Sequence, residues 1–245
     1  MRRFFVRPEN VGPSQLCLAG DEVGHLVRVL RLGPGAHIRA FDGRGREYVA
    51  VVKQVAADRV LCDILQRLEA VATAVSISLG QGLLKAEKFE WVIQKTTELG
   101  VADVVPLLTQ RSVPRLAGSR AAAKQARWEK IAREACKQSG RAAIPRLWPP
   151  TPLPDFFTAF QGADVKLMFW EGEKRRRLKA VVSAYEGAAT VAVVVGPEGG
   201  LTSQEAAQGE AYGFLAVGLG ERILRAETAG LLAVALLQHH FGDFG

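Results

Sequence analysis

Residues 190–203, TVAVVVGPEGGLTS, decide the fold. Thr190 to Val195 form a strand with no polar face, the pattern of a strand buried on both sides. The strand stops at Gly196-Pro197-Glu198-Gly199-Gly200, and Thr202 or Ser203 then offers a side-chain oxygen to cap a helix over 203–212. Adjacent glycines permit positive φ and let a ligand come close to the backbone. In open parallel sheets, ligands bind in the crevice beyond the carboxyl ends of the strands, where this turn falls. The loop is neither GxxxxGK[ST] nor GxGxxG, so it is neither a P-loop nor a dinucleotide fingerprint. A purely structural turn is the plain alternative.

The pattern recurs on both sides. A strand over 214–217 ends in Gly218-Leu219-Gly220, and a helix over 226–240 carries Glu227 in its first turn, where the helix dipole favours an acid. That helix is apolar over most of its surface, which suggests burial against the sheet and a second subunit. Upstream lie a strand over 165–169 (VKLMF) and a helix over 173–185. Further upstream the spacing gives a strand over 75–79, a helix over 85–99 ending at Gly100, a strand over 103–108 and a helix over 122–139 ending at Gly140. Pro106 argues for the edge or the end of its strand. Residues 145–154 read as a proline-rich link. Apolar strands alternating with helices make an α/β domain with a parallel sheet. Two glycine turns after neighbouring strands can close around a small polar-aromatic ligand.

Residues 1–70 read differently. Strand candidates at 37–41, 48–55 and 60–65 are separated by turn signals, and Asp42-Gly43-Arg44-Gly45 marks a hairpin. A short helix over 21–30, capped by Asp21, precedes them. The chain therefore divides into a β-rich domain over 1–70 and an α/β domain over 71–245, with the boundary near 68–74. The 245 residues are 48% hydrophobic, enough to bury the core of two modest domains. The net charge of +7, concentrated in the first two-thirds, favours a polyanionic partner. Three widely spaced cysteines without CxxC argue against a disulfide scaffold or zinc site and fit a reducing compartment. Four histidines show no metal-ligand spacing. The reading is of a cytoplasmic protein with no signal peptide, no membrane span and no metal.

Several separated motifs, in order, carry a resemblance across essentially the whole chain. They are MRRFF (1–5), HLVRVLRL (25–32), FDGRG (41–45), KTTELGVADVVPL (95–107), QRS (110–112), EACKQSGR (134–141), GPEGG (196–200) and LGERILRAETA (219–229). With these the chain resembles the RsmE family of bacterial 16S rRNA uridine N3-methyltransferases, of the SPOUT class. The resemblance implies a PUA-like β-barrel that helps hold RNA, followed by a domain with a deep trefoil knot that binds S-adenosylmethionine and forms a homodimer. It implies 16S rRNA as the substrate, within the 30S subunit or a late assembly intermediate. Carried over, Gly196, Gly199 and Gly200 border the cofactor, and Val217, Leu219 and Gly220 with Ile223 and Leu224 form the opposite wall. Thr228 and Ala229 lie near the adenosine, and the strand 167–169, with Leu167 and Phe169, supplies the remaining edge. Trp170-Glu171-Gly172 departs from the small or polar stretch usual in the family, and Glu221 falls where the family varies.

Uridine N3 carries a proton, so methylation there needs a base, or donors that stabilise negative charge on O2 and O4. The uracil must also be unpaired or extruded. Arg225 is the first catalytic candidate, as a guanidinium for the uracil oxygens or a nearby phosphate. The alternative is an ion pair with Glu227 or Glu198. Glu198 is a second candidate, accepting a proton or orienting Arg225, with loop bracing as its alternative. Lys95 and Glu98 suit a surface pair. For RNA, Arg2, Arg3 and Arg7 cluster beside Phe4 and Phe5, and Arg28 and Arg31 are three apart. Arg111, Arg115, Lys137 and Arg141 add charge, as does the run Lys174–Arg177 if it is not merely a solvated helix start. Two competing readings stay open: a SPOUT enzyme acting on another RNA or at ribose 2′-O, and a non-catalytic RNA-binding factor.

Overall fold

The computed structural model describes residues 1–69, 73–85, 87–112 and 118–244, with backbone only for 118–120. Arg115 and part of the expected boundary at 68–74 lie outside the described residues. The chain divides into two compact units: Met1–Ala72 with Arg133–Ile144, and Thr73–Ala132 with Pro145–Gly245.

The first unit is built on a five-stranded sheet. Its strands are β1 (Arg3–Phe5), β2 (Gln15–Ala19), β3 (His37–Phe41), β4 (Arg46–Val55) and β5 (Arg59–Glu69). Their order is β1-β3-β4-β5-β2, antiparallel except for the β1–β3 pair. Phe4, Leu16, Leu18, Ile38, Tyr48 and Val60 fill its core. The Asp42–Gly45 hairpin forms as its sequence implies, with Gly43 and Gly45 at φ 76° and 100°, which only glycine takes without strain. Helix α1 (Asp21–Gly24) runs into a π turn over His25–Val29. Asp21 is its first helical residue rather than its cap; Gly20, at φ 65°, occupies the cap position without a side-chain bond.

Residues 133–144 join this unit although the sequence reads them with the α/β domain. Cys136 and Ala142 are buried with Phe41, Gly45 N donates to the Ala142 carbonyl (3.2 Å) and Ile144 N to that of Gly43 (3.0 Å). The Lys137 ammonium meets Glu22 at 3.0 Å with both side chains largely buried, so Lys137 is held inside the unit.

The second unit holds β6 (Ser76–Gly82), β7 (Asp103–Leu108), β8 (Arg146–Leu147), β9 (Thr151–Pro152), β10 (Val165–Phe169), β11 (Thr190–Val195) and β12 (Leu215–Val217). They form one parallel sheet in the order β12-β10-β11-β6-β7-β8, with β9 also on β7. Its helices are α2 (Glu87–Glu98), α3 (Gly118–Ser139, whose end lies in the first unit), α4 (Leu153–Ala159), α5 (Leu178–Val182), α6 (Ser203–Ala211) and α7 (Ala226–Phe241). Helix α7 packs on α2, β6 and β11; α4 and α6 pack on each other, on β7 and on β12. Met168, Ala192 and Val194 face the core beneath α4 and α6, and the alternating Leu167, Val191 and Val193 are equally buried. Burial on both faces explains why these strands have no polar side.

Three expectations are corrected here. Pro106 is neither at an edge nor at an end: β7 has β6 on one side and β8 and β9 on the other. The outer partners pair with Asp103–Val104 and Leu107–Leu108, so Pro106 falls in the gap between them, where no ladder bond is needed. The proline-rich link contains β8, β9 and α4, with proline in the first turn of α4, where its missing N–H costs nothing. The helix expected over 173–185 shrinks to α5, because the Glu173 carboxylate accepts from Arg175 N (2.6 Å) and Arg176 N (3.0 Å) and holds a turn instead. Those two amides, Arg176 first, hold its carboxyl below the usual range. No helix of the described residues is long and apolar enough to cross a membrane. Among them no cluster of three or more His, Cys, Asp or Glu side chains is placed to hold a metal ion.

Burial pushes the Cys62 thiol up to about 12 and that of Cys136 to about 11, whereas Cys17 is half-buried. A thiol raised this far carries almost no thiolate at pH 8. A disulfide reagent is therefore expected to label one fast thiol in the native protein, Cys17, and all three in denaturant; fast native labelling of Cys62 or Cys136 would contradict this.

Candidate functional site

Three loops leave the carboxyl ends of the adjacent strands β12, β10 and β11 and enclose a cavity of about 420 Å³. The strands place it, and hydrogen bonds between the loops hold it open. Trp170 N donates to the Val217 carbonyl (3.3 Å) and Trp170 Nε1 to that of Leu201 (3.3 Å). Gly218 N donates to the Arg176 carbonyl (2.9 Å), and Arg176 Nη1 returns a bond to the Ala216 carbonyl (3.2 Å). Thr202 caps α6 with a full capping box: its hydroxyl accepts from Glu205 N (3.1 Å), and Glu205 Oε2 accepts from Thr202 N (2.8 Å). Glu205 Oε1 also takes the Gln110 amide at 2.8 Å, which ties the loop after β7 to this turn.

Of the residues expected around a cofactor, Phe169, Gly196, Gly200, Val217, Leu219, Gly220, Ile223, Leu224 and Ala229 line the cavity. Three do not. Leu167 is fully buried within β10, two residues short of the mouth. Gly199 turns toward Arg111, whose Nη1 donates to its carbonyl at 2.8 Å. Thr228 is exposed on the first turn of α7. Ile223 stands 83% exposed at the rim, so it covers nothing in the chain by itself.

Arg225 and Glu198 both line the cavity. Neither is paired with the other. Glu198 Oε1 accepts from Lys85 N at 3.2 Å and lies 3.9 Å from Lys88 Nζ, and Glu227 Oε1 lies 3.3 Å from the same ammonium. Lys88 thus takes both carboxylates that sequence reasoning offered to Arg225. The Arg225 guanidinium has no hydrogen-bond or ion-pair partner among the described residues, although it sits at the N-cap of α7, where the helix dipole disfavours a cation. The exposed guanidinium is therefore available to donate to a ligand at the rim of the cavity.

Sequence reasoning missed the supports. Gln81 is fully buried at the end of β6, and its Nε2 donates to the Gly196 carbonyl at 3.1 Å. Its Oε1 has no hydrogen-bond partner among the described residues and lies where a Cβ on Gly230 would stand. A Cβ on Gly82 would collide with the backbone of Gly196 and Pro197. The signal was LGQGLL at 79–84: glycines inside a strand mark a close approach of another backbone. Lys95 and Glu98 form the surface pair expected of them, at 2.9 Å.

The arginines proposed for RNA divide. Arg2, Arg7, Arg28 and Arg31 are exposed on the first unit. Arg3 is a correction: its side chain is 13% exposed, lies 3.6 Å from Glu47 and 5.1 Å over Phe41, and donates to the Arg141 carbonyl at 3.1 Å. Its charge is used inside the unit, and Arg141 is half-buried beside it. Arg111 is exposed but braces Gly199.

Residues 72–238 match the family model of an RNA methyltransferase domain, and residues 18–65 that of an RNA methyltransferase PUA domain. The class is therefore an RNA methyltransferase with a PUA-like N-terminal domain and an α/β catalytic domain. The chain is 32% identical to the ribosomal RNA small subunit methyltransferase E of Bacillus subtilis over 98% of its own length and 96% of the relative's. The crystal structure of a ribosomal RNA small subunit methyltransferase E from Neisseria gonorrhoeae, bound to S-adenosyl methionine, matches with TM-score 0.90 and 33% identity over 100% of both chains. A putative methyltransferase from Legionella pneumophila, in complex with the same cofactor, matches with TM-score 0.88 and 32% identity over 98% of each. The chain belongs to the ribosomal RNA small subunit methyltransferase E family.

Proposed function

We propose that this chain transfers a methyl group from S-adenosylmethionine to N3 of one uridine in the 16S rRNA of the small ribosomal subunit. The observation that carries this reading is the cavity beyond β10, β11 and β12, rimmed by an unpaired Arg225, in a chain of this family. The residues present fit the cofactor. Phe169, Val195, Val217 and Ala229 offer apolar surface to a purine face, and the backbone of 218–220 offers polar groups to its edge. Glu171, Glu198 and Glu227 suit a ligand with cationic ammonium and sulfonium groups. When bound, the cofactor supplies a methyl group already activated on positively charged sulfur.

The chain's own residues then have two tasks. The loops align and enclose the reacting pair, which lowers the entropic part of the barrier. Arg225 holds O2 or O4 of the uracil as negative charge builds while the N3 proton passes to solvent water. Glu198 acts through the loop: bonded to the Lys85 amide and facing Lys88, it braces the GPEGG turn.

Three further features belong to this proposal. From the edge strand β12 the chain returns as α7 beneath β11 and β6, past β10, which supports a trefoil knot among residues 170–241. Trp91 on α2 and Leu236 on α7 stand exposed on two helices that pack together, which supports a homodimer through that face. The substrate places the enzyme in the cytoplasm, acting on the 30S subunit or a late assembly intermediate.

Labelled methyl donor, incubated with separated ribosomal subunits from cells that lack this activity, is expected to label 16S rRNA alone. Label confined to 23S rRNA or tRNA would overturn the choice of substrate.

A further inference from the structure

We propose that the first unit carries a second binding site, for a backbone phosphate of the RNA, between the Asp42–Arg46 hairpin and residues 8–13. A cavity of about 250 Å³ opens there, lined among others by Val11, Asp42, Arg44, Arg46, Tyr48 and Arg67. It shares no residue with the methyl-transfer cavity, and none of its arginines is among those assigned to RNA from the sequence.

The one carboxylate in this cavity is already satisfied. Asp42 is 4% exposed; its Oδ1 accepts from Arg44 N (2.8 Å) and Arg46 N (3.1 Å), and its Oδ2 from the Tyr48 hydroxyl (3.3 Å). Arg44, Arg46 and Arg67 line the cavity with it. Arg67 gives both Nη2 hydrogens to the carbonyls of Gly12 (2.6 Å) and Pro13 (2.9 Å) and lies 5.5 Å over the Tyr48 ring, which leaves Nη1 and Nε free to donate. The side chains of Arg44 and Arg46 are exposed and have no partner among the described residues. Clustered forks of this kind match the oxygens of a phosphate. Tyr48 is 2% exposed, so the cavity offers no aromatic face for a base to stack on, which selects phosphate over nucleobase.

The site is also held in advance. The hairpin that carries Arg44 and Arg46 is pinned from both ends of its turn, by Gly45 N on the Ala142 carbonyl and Ile144 N on the Gly43 carbonyl. Arg67 is pinned by two carbonyls. The hairpin backbone and Arg67 are in place before binding, so only the exposed Arg44 and Arg46 side chains are ordered by the ligand. The choice of RNA over free inorganic phosphate rests on the function proposed above.

The test measures affinity for unmodified 16S rRNA across a salt series. It compares the wild type, the pair Arg44→Gln/Arg46→Gln, and the pair Lys53→Gln/Arg59→Gln, which makes the same charge change at the other end of β4 and β5. The pocket pair is expected to bind about 10-fold more weakly, with a slope of log affinity against log salt shallower by roughly 1. The control pair should lose clearly less, and the affinity of both for S-adenosylmethionine, by calorimetry, should be unchanged. Inorganic phosphate at matched ionic strength should leave the wild-type affinity for RNA intact. Equal losses in the two pairs would mean diffuse charge and overturn the site. Binding of inorganic phosphate that the pocket pair loses, without any change in RNA affinity, would make it an ion site and overturn the RNA assignment. A pocket pair that binds and methylates RNA as well as an active wild type would sink this proposal alone; a wild type with no affinity for the RNA would sink both.

Discussion

Arg225→Gln is expected to lower kcat for RNA methylation by about 10²–10³-fold, the usual cost of removing one donor from a developing oxyanion. Affinity for S-adenosylmethionine should stay within about 2-fold of wild type, because the guanidinium is assigned to the uracil. The fold should not suffer. Arg225 has no side-chain partner among the described residues, and replacing a cation at the N-cap of α7 by a neutral residue relieves an unfavourable dipole interaction. Unchanged or slightly raised thermal stability with collapsed turnover would set this variant apart from a structural lesion. A variant that keeps wild-type kcat, or that loses cofactor affinity instead, would remove Arg225 from the chemistry.

Gly82→Ala is expected to act at the other end of the site, on the cofactor. Its Cβ would stand inside contact distance of Gly196 and Pro197 backbone atoms, so relief cannot come from rotating a side chain. Either β6 or the GPEGG turn must move. The turn is the less constrained of the two, since β6 is paired on both sides with β11 and β7. A displaced turn breaks the Gln81 bond to the Gly196 carbonyl and leaves the buried amide only its long bond to the Gly82 carbonyl (3.4 Å), at a cost of about 1–3 kcal/mol. We expect S-adenosylmethionine to bind at least 10-fold more weakly by calorimetry, the equivalent of about 1.4 kcal/mol, with a lowered midpoint in denaturant. Cofactor affinity equal to wild type would show that the turn does not shape the cavity.

The sequence made the loop system legible because strand, turn and cap are local signals. Residues 190–195 with no polar face, two glycine turns and Thr202 or Ser203 ahead of a helix each carry their meaning within a few residues. The parallel sheet follows from the same unbroken apolar strands. What it hid was non-local. Nothing in EACKQSGRAAI shows that residues 133–144 pack on Phe41 and brace a hairpin some 90 positions earlier. Arg3 reads as surface charge until Glu47 and the Arg141 carbonyl are brought beside it. The Glu173 turn defeats a helix that composition favours, because one carboxylate accepting two adjacent amides fixes a different backbone. Gln81 and Gly82 are visible only as glycine-flanked strand residues until the turn they support is in place.

The central claim is that the cavity beyond β10, β11 and β12 methylates a uracil base. The measurement that tests it most directly is the identity of the product. Unmodified small subunits would be incubated with enzyme and methyl-labelled S-adenosylmethionine, the 16S rRNA digested to nucleosides, and the labelled species compared by mass spectrometry with 3-methyluridine and 2′-O-methyluridine standards. Label in 3-methyluridine, mapping to a single position, is the predicted result. Label in 2′-O-methyluridine would contradict the account, because a ribose hydroxyl target leaves Arg225 with no uracil oxygen to hold.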